Sequence, residues 1–307
     1  MAPFISGIYI FINRELVFCF FNTLVSKLFF KRSKNMKYTL ISAILICLCC
    51  SGKSQSISSR IYTMNGESCY QMGQYGNAIS YFDTAILLNP KDTIVYLHRG
   101  VSNYILGNIS AAILDFNTVI EIDPECTDSY VYRGIAKGVL RDYKGAIEDF
   151  NIALKIDPLC ASALVERGAI KHELDDFRGA LNDFNRAIEL NPGHALAYYK
   201  RGAIKHDLDD FRGAIKDFEI AIELGSPKIS VIYRAKGLTE AKLRNFNSAI
   251  QDFNTAIMLD PKDSESYFYR GVVKGELGDI DGACLDLSKA GELGYFDAYE
   301  AIRKICN

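Results

Sequence analysis

Hydrophobic and polar positions recur along this chain with a fixed period from about residue 57 onward. In the representative stretch over residues 133–158, RGIAKGVLRDYKGAIEDFNIALKIDP, apolar side chains follow one another at intervals of three or four residues. Ala146, Phe150 and Ala153 of this stretch would lie on one face of a helix, because their spacing matches the helical period. The pattern predicts two helices joined by a short turn in every period.

Prolines mark the end of six copies. Six of the seven prolines follow one another at spacings of 34, 34, 34, 35 and 34 residues: Pro90, Pro124, Pro158, Pro192, Pro227 and Pro261. The residue before a proline disfavours helix, and the proline can begin the next helix. A regular period of this length predicts stacked helix pairs instead of two ordinary domains.

These features resemble the tetratricopeptide repeat family. Most copies combine an aromatic residue and a Gly in the first helix, as at Tyr130 and Gly134, with the Ala, Phe, Ala series of the second helix and the closing proline. The resemblance covers seven copies, about residues 58–297. It implies an all-α, right-handed superhelical solenoid of seven antiparallel helix pairs. A last amphipathic helix is expected to cover the open C-terminal end.

The predicted organisation places the seven repeats over residues 57–297 and the C-terminal cap over 298–307. The individual repeats are predicted at 59–92, 93–126, 127–160, 161–194, 195–229, 230–263 and 264–297. One extra residue near Gly225 and Ser226 predicts a small irregularity after the fifth copy.

The region before the repeats is apolar. Met36, a short basic start and an apolar run as far as Cys50 have the layout of a secretory signal, which predicts a signal peptide or lipoprotein anchor over 36–56. Met36 is then expected to be the true start, with residues 1–35 as an upstream extension. The rival hypothesis is a membrane-inserted N-terminal tail.

Two fates of this segment stay open. Cleavage within 51–56 would release a soluble exported protein, whereas lipidation of Cys49 or Cys50 would tether it to a membrane. The predicted location is exported, periplasmic or membrane-anchored in a bacterium. It is cytoplasmic if the N-terminal segment is not a signal.

The net charge and the absence of catalytic motifs disfavour nucleic-acid binding and enzymatic functions. The net charge of -2 provides no overall basic field, so nucleic acid is not expected as the main partner. Five of the nine cysteines lie in the repeat region, and they are expected to be packed small residues and not a disulfide framework. The sequence has no HExxH motif and no Gly-rich phosphate loop, so no catalytic residue, metal or cofactor is expected.

A charged position recurs in both helices of the repeat. An Arg in the first helix and an Asp in the second favour an ion-pair ladder between helices over an anion-binding stripe, because both signs recur together. The expected members are Arg99, Asp115, Arg133, Asp149, Arg167, Asp183, Arg201, Asp217, Arg270 and Asp286.

The first helices of the resembled family line a concave groove that binds peptide segments. In this chain the corresponding positions are mostly apolar and rich in Tyr: Tyr70, Leu97, Val101, Tyr104, Val131, Ile135, Val165, His172, Tyr199 and His206. The expected function is therefore a non-enzymatic scaffold that binds other proteins or their peptide segments in this groove. The alternatives are an accessory or catalytic role in an exported enzyme complex, and a structural spacer without a specific ligand.

Overall fold

The structure is a computed structural model, and it describes residues 56–306. Residues 62–307 form a compact unit, which contains the array of helix pairs from residue 62 onward. The predicted extension over 1–35, the predicted signal segment up to residue 55, and Cys49 and Cys50 lie outside the described residues.

Every regular element between residues 56 and 306 is an α-helix. The first helices of the seven pairs are α1 (56–71), α3 (Thr93–Ile105), α5 (Thr127–Val139), α7 (Ala161–Glu173), α9 (Ala195–Asp207), α11 (Ile229–Lys242) and α13 (Ser264–Glu276). The second helices are α2 (Tyr75–Leu88), α4 (Ile109–Ile122), α6 (Tyr143–Ile156), α8 (Phe177–Leu190), α10 (Phe211–Glu223), α12 (Phe246–Leu259) and α14 (Ile280–Glu292), and α15 (Asp297–Ile305) follows them. The predicted all-α solenoid of seven helix pairs with a terminal helix is confirmed. None of the helices in this range combines the length and apolar character that a membrane span requires.

A large apolar residue fills the space between the two helices of each pair. Six of these residues are phenylalanines with at most 1% exposure, namely Phe82, Phe116, Phe150, Phe184, Phe218 and Phe253, and Leu287 takes the place in the seventh repeat. The facing Gly of the first helix leaves room for the ring, since a Cβ on Gly134 would lie 2.7 Å from Cε1 of Phe150. This packing explains why the small and large residues recur together.

Side-chain caps begin several of the second helices. The carboxylate of Asp142, the residue before α6, accepts a hydrogen bond from the backbone N–H of Gly145 at 3.0 Å. Asp176, Asp210 and Asp279 cap α8, α10 and α14 in the same way. Such a cap satisfies a backbone donor that the helix itself leaves free, so the Asp in the turn fixes where the second helix begins.

The helices form two layers. From α3 onward, each first helix contacts the first helix of the next repeat, whereas no two second helices between α2 and α14 contact each other. The first helices are therefore closer together and form the inner layer of the array. We call the solvent-facing side of the first helices the inner face.

The C-terminal end is closed by α15 and a disulfide. Cys284 of α14 and Cys306, which follows α15, are bonded with their Cα atoms 5.9 Å apart. The expectation that all five cysteines are free packed residues is wrong for this pair, because α15 folds back and brings the two positions together. Cys69, Cys126 and Cys160 are free.

Candidate functional site: the inner face and the ion-pair ladder

The five Arg and Asp pairs expected from the sequence are in direct contact. In each pair, Nη2 and Nε of the Arg donate to the two carboxylate oxygens of the Asp in the second helix of the same repeat. The Nη2 to Oδ1 distance is 2.6 Å for Arg201 and Asp217. Two parallel charge-assisted bonds of this kind are the strongest ion-pair geometry in proteins, so the ladder joins the two helices of a repeat.

The same arginines connect consecutive repeats. Nη1 of Arg201 donates to the side-chain oxygen of Asn185 in the preceding second helix at 2.8 Å. Arg99, Arg133, Arg167 and Arg270 make the equivalent bond to Asp83, Asn117, Asn151 and Asn254. A lysine one turn further along the first helix adds a second cation, as in the 2.8 Å contact between Lys205 and Asp217. Each buried carboxylate is thus held by two cations in repeats three, four, five and seven.

The sixth repeat departs from this arrangement. Lys236 stands where five other repeats have the Arg, and its Nζ lies 3.0 Å from Oδ1 of Asp252. Glu240 stands where four of them have the Lys, and within residues 56–306 the buried Oδ2 of Asp252 has no hydrogen-bond partner. Burial raises the pKa of Asp252, Lys236 opposes the rise, and the negative charges of Glu240 and Glu219 add to it. The sixth rung of the ladder is therefore the weakest.

Three of the ten predicted groove residues are buried. Val101, Val131 and Val165 are 8%, 4% and 1% exposed. They lie in core clusters that also contain Ala136, Ala163 and Ala197, respectively, each from the next first helix. The prediction that these valines line an open groove is wrong, because contact between consecutive first helices covers them.

The other seven predicted groove residues are half-buried. Leu97, Tyr104, Ile135 and Tyr199 pack against the core clusters with part of their surface. Tyr70 stacks on His98 with ring centroids 5.4 Å apart. Burial raises the pKa of the Tyr70, Tyr104 and Tyr199 hydroxyls, so these side chains are neutral at physiological pH. They leave an aromatic and apolar surface on the inner layer.

The two predicted histidines bond to the next first helix. Nε2 of His172 lies 2.9 Å from Oδ2 of Asp207, and Nδ1 of His206 lies 2.8 Å from Oγ1 of Thr239. Burial lowers the pKa of His206, which favours its neutral form. Both rings therefore link repeats, and the described part of the chain contains no cluster of three groups that could hold a metal ion.

The structure adds exposed apolar residues that the sequence analysis missed. Ile94, Ile105 and Val139 are 56%, 45% and 54% exposed. Ile94 lies three residues before Leu97, and Ile105 lies four residues after Val101, so helical spacing puts them on the same stripe of α3. Continuing the predicted stripe by one turn in each direction would have found them. We call Ile94, Leu97, Ile105, Ile135 and Val139 the apolar inner face.

The next two first helices change the character of this surface. The positions equivalent to Ile105 and Val139 are Glu173 in α7 and Asp207 in α9. Glu166 and Lys200, which are half-buried, occupy equivalent places earlier in the same helices. We call Glu166, Glu173, Lys200 and Asp207 the charged inner face. The inner layer thus passes from apolar in repeats two and three to charged in repeats four and five.

Comparison with known proteins assigns the family. Sequence profiles described as tetratricopeptide repeat match residues 63–125 and 171–229, and a second profile with the same description matches 232–263. The chain is a tetratricopeptide repeat protein. No curated protein matches its sequence.

Solved structures with the same fold include other tetratricopeptide repeat proteins. The chain aligns with the APC/C heterotetramer Cut9–Hcn1 at a TM-score of 0.71 and 15% identity over 80% of its length, and it spans 49% of that chain. A tetratricopeptide repeat protein from Parabacteroides merdae aligns at 0.62 and 18% identity, covering 81% of this chain and 99% of the other. PilF of Pseudomonas aeruginosa aligns at 0.60 and 12% identity over 69% and 96% of the two chains. At these identities the likeness concerns the fold.

Proposed function

We propose that this tetratricopeptide repeat protein binds an extended segment of a partner protein on its inner face. The repeat fold itself suggests a protein-interaction scaffold. One observation carries the more specific proposal, namely that exposed apolar side chains of consecutive first helices lie side by side on the inner layer. Apolar anchors on a preformed surface are the usual energetic centre of peptide recognition.

The size of the surface fits a peptide better than a small molecule. Ile94, Ile105 and Val139 come from two neighbouring helices, and equivalent residues of packed helices are about 8–10 Å apart. An extended peptide rises about 3.3 Å per residue, so about three peptide residues span one repeat. One anchor side chain of the peptide could then contact each repeat. A partner segment that crosses the helices would therefore contact several repeats at once.

The proposal is tested by comparing partner capture between inner-face and outer-face variants of the full chain. The inner variant is Ile105→Asp with Val139→Asp, and the matched control is Leu87→Asp with Leu114→Asp. Leu87 and Leu114 are 79% and 66% exposed on second helices, so the control adds the same charge on the opposite layer. Because the exposed anchors are replaced by acids, we expect about a tenfold loss of partner in a quantitative pull-down with the inner variant only. Equal capture by both variants would exclude the inner face as the binding surface.

We also propose that the protein acts in an oxidising, extracytoplasmic compartment. The disulfide between Cys284 and Cys306 supports this location, because disulfides persist in exported proteins and are rare in the cytosol. The intact mass and N-terminal peptide of the protein from its native cell test it. A start within 51–56 or a lipidated cysteine, together with an intact disulfide, is the expected result, and two free thiols in a chain that retains residues 1–35 would contradict it.

A further inference from the structure

Two charges of the inner face lack a direct partner within residues 56–306, although the ladder charges beside them are paired. Glu166 directly precedes the ladder residue Arg167, and Lys200 directly precedes Arg201. Both side chains are half-buried, and neither forms a hydrogen bond or ion pair with any other residue in 56–306. A half-buried charge without a partner costs free energy. Glu166 and Lys200 attract each other at longer range, but no direct bond in the described part of the chain offsets the cost of their burial.

The surroundings of the two charges do not compensate for their burial. Burial raises the pKa of Glu166 even though Lys200, Lys228 and His194 attract its negative charge. Burial also lowers the pKa of Lys200, although Glu166 and Glu173 favour its charged form. Each group would thus gain from a closer partner of opposite sign, and a bound molecule could supply both.

Their position relative to the apolar inner face defines what such a molecule looks like. Leu97 and Ile135 belong to repeats two and three, and each lies within three residues of the position equivalent to Glu166 and Lys200 in repeats four and five. A segment that crosses the first helices in order meets apolar side chains first, then a half-buried acid, then a half-buried base. Equivalent residues of packed helices are about 8–10 Å apart, and an extended chain covers that distance in about three residues.

We propose that the partner segment carries a basic side chain that pairs with Glu166 and, about three residues further on, an acidic side chain that pairs with Lys200. Apolar residues with the same spacing precede the basic side chain and contact the apolar inner face. This inference rests on the proposed function and adds the charge order of the ligand to it. The order matters because an exchanged pair would place like charges together at two half-buried sites.

The test measures the binding of fluorescein-labelled synthetic peptides to the full chain by fluorescence anisotropy. The matching peptide has leucine at its first and fourth positions, lysine at the seventh and glutamate at the tenth, with serine elsewhere, and it is used in both sequence directions. The exchanged peptide has the lysine and glutamate interchanged, and the apolar peptide has serine at both charged positions.

We expect the matching peptide, in one direction, to bind about tenfold more tightly than the exchanged peptide. The variant Glu166→Lys with Lys200→Glu keeps the net charge and is expected to reverse this preference. A matched control, Glu148→Lys with Lys216→Glu, changes exposed residues of second helices and should retain the wild-type preference for the matching peptide. If the inner swap does not fold, Glu166→Gln and Lys200→Met should each remove most of the preference.

The charge order is refuted if the wild-type chain binds the peptides equally or binds none of them. It is also refuted if the inner swap folds and retains the wild-type preference. Failure of the proposed function is measured separately, by the binding of the apolar peptide and of the native partner to the inner-face variant. If either ligand binds the Ile105→Asp with Val139→Asp variant as tightly as the wild type, the inner face itself is excluded.

Discussion

The ion-pair ladder and the charged inner face lie one residue apart in α7 and α9, yet their charges have different surroundings. Arg201 donates two hydrogen bonds to the buried Asp217 and one to Asn185. Its neighbour Lys200 is also half-buried, but it forms no hydrogen bond or ion pair within residues 56–306. The difference indicates two uses of charge in one helix. The ladder charges hold helices together, and we propose that Glu166 and Lys200 pair with a ligand.

Removing one ladder carboxylate should have the largest effect on stability. Asp217→Ala leaves Arg201 and Lys205 without their shared partner in a site where the carboxylate is 2% exposed. Breaking a buried pair from one side costs about 3–5 kcal/mol, and we expect a loss of that size in the free energy of unfolding. Urea denaturation followed by circular dichroism would measure it. A loss below about 1 kcal/mol, the range of surface ion pairs, would contradict a structural role for the ladder.

Rebuilding the sixth rung should have the opposite sign and a smaller size. Lys236→Arg with Glu240→Lys would give Asp252 the pair of cations that four other repeats have, and would satisfy its free Oδ2. We expect a gain of about 1 kcal/mol in the free energy of unfolding, reduced by loss of the exposed bond from Asn245 to Glu240.

The reciprocal change provides the control. Arg201→Lys with Lys205→Glu converts the fifth rung into a copy of the sixth and should destabilise the chain. If both double variants change stability in the same direction, the difference between the two rungs does not come from their charges.

The weak rung should also make the stability of the chain depend on pH. Because burial raises the pKa of Asp252 above its ordinary value, the folded state binds this proton more tightly than the unfolded state. The associated stability is present below the ordinary pKa of about 3.9 and is lost as pH rises through the folded pKa. Asp252→Asn cannot ionise and so avoids this loss. The free energy of unfolding of the variant, relative to that of the wild type, should therefore rise between about pH 4 and pH 7. Parallel urea unfolding at both ends of that range would measure the difference, and a constant difference would contradict the assignment.

Neutralising the inner-face charges should have the smallest effect on stability. Lys200→Met and Glu166→Gln remove desolvated charges that make no bond in the described chain, so each should leave the free energy of unfolding within about 0.5 kcal/mol of the wild type or raise it slightly. Differential scanning calorimetry of these two variants and of Asp217→Ala compares their stabilities directly. A destabilisation as large as that of Asp217→Ala would assign these charges to the fold.

The features that could be predicted from the sequence are those that depend on the spacing of residues within one repeat. The period and the Ala, Phe, Ala series depend on residues within one repeat, and they were sufficient for the helix pairs. The Arg and Asp of each rung are separated by a constant 16 residues, so recurrence of both signs pointed to their contact. Lys236 in the sequence already indicated that the sixth rung is unusual. That Oδ2 of Asp252 lacks a hydrogen-bond partner could be seen only in the packed structure.

Contacts between repeats could not be predicted in the same way. Val101, Val131 and Val165 are covered because consecutive first helices touch, which depends on the angle between repeats and not on the pattern within one. Cys284 and Cys306 are 22 residues apart and meet only because α15 folds back on α14. The N-terminal predictions and the binding of a partner's peptide segment stay predictions.

Site-specific photocrosslinking tests the central claim most directly. A benzophenone amino acid at Ile105 would lie on the inner face, and the same group at Leu114 would lie on a second helix with 66% exposure as the control. We expect a covalent adduct with the partner from position 105 and none from 114. Mass spectrometry of the adduct should identify an apolar segment followed by a basic and an acidic residue. Crosslinking from 114 alone would contradict binding on the inner face.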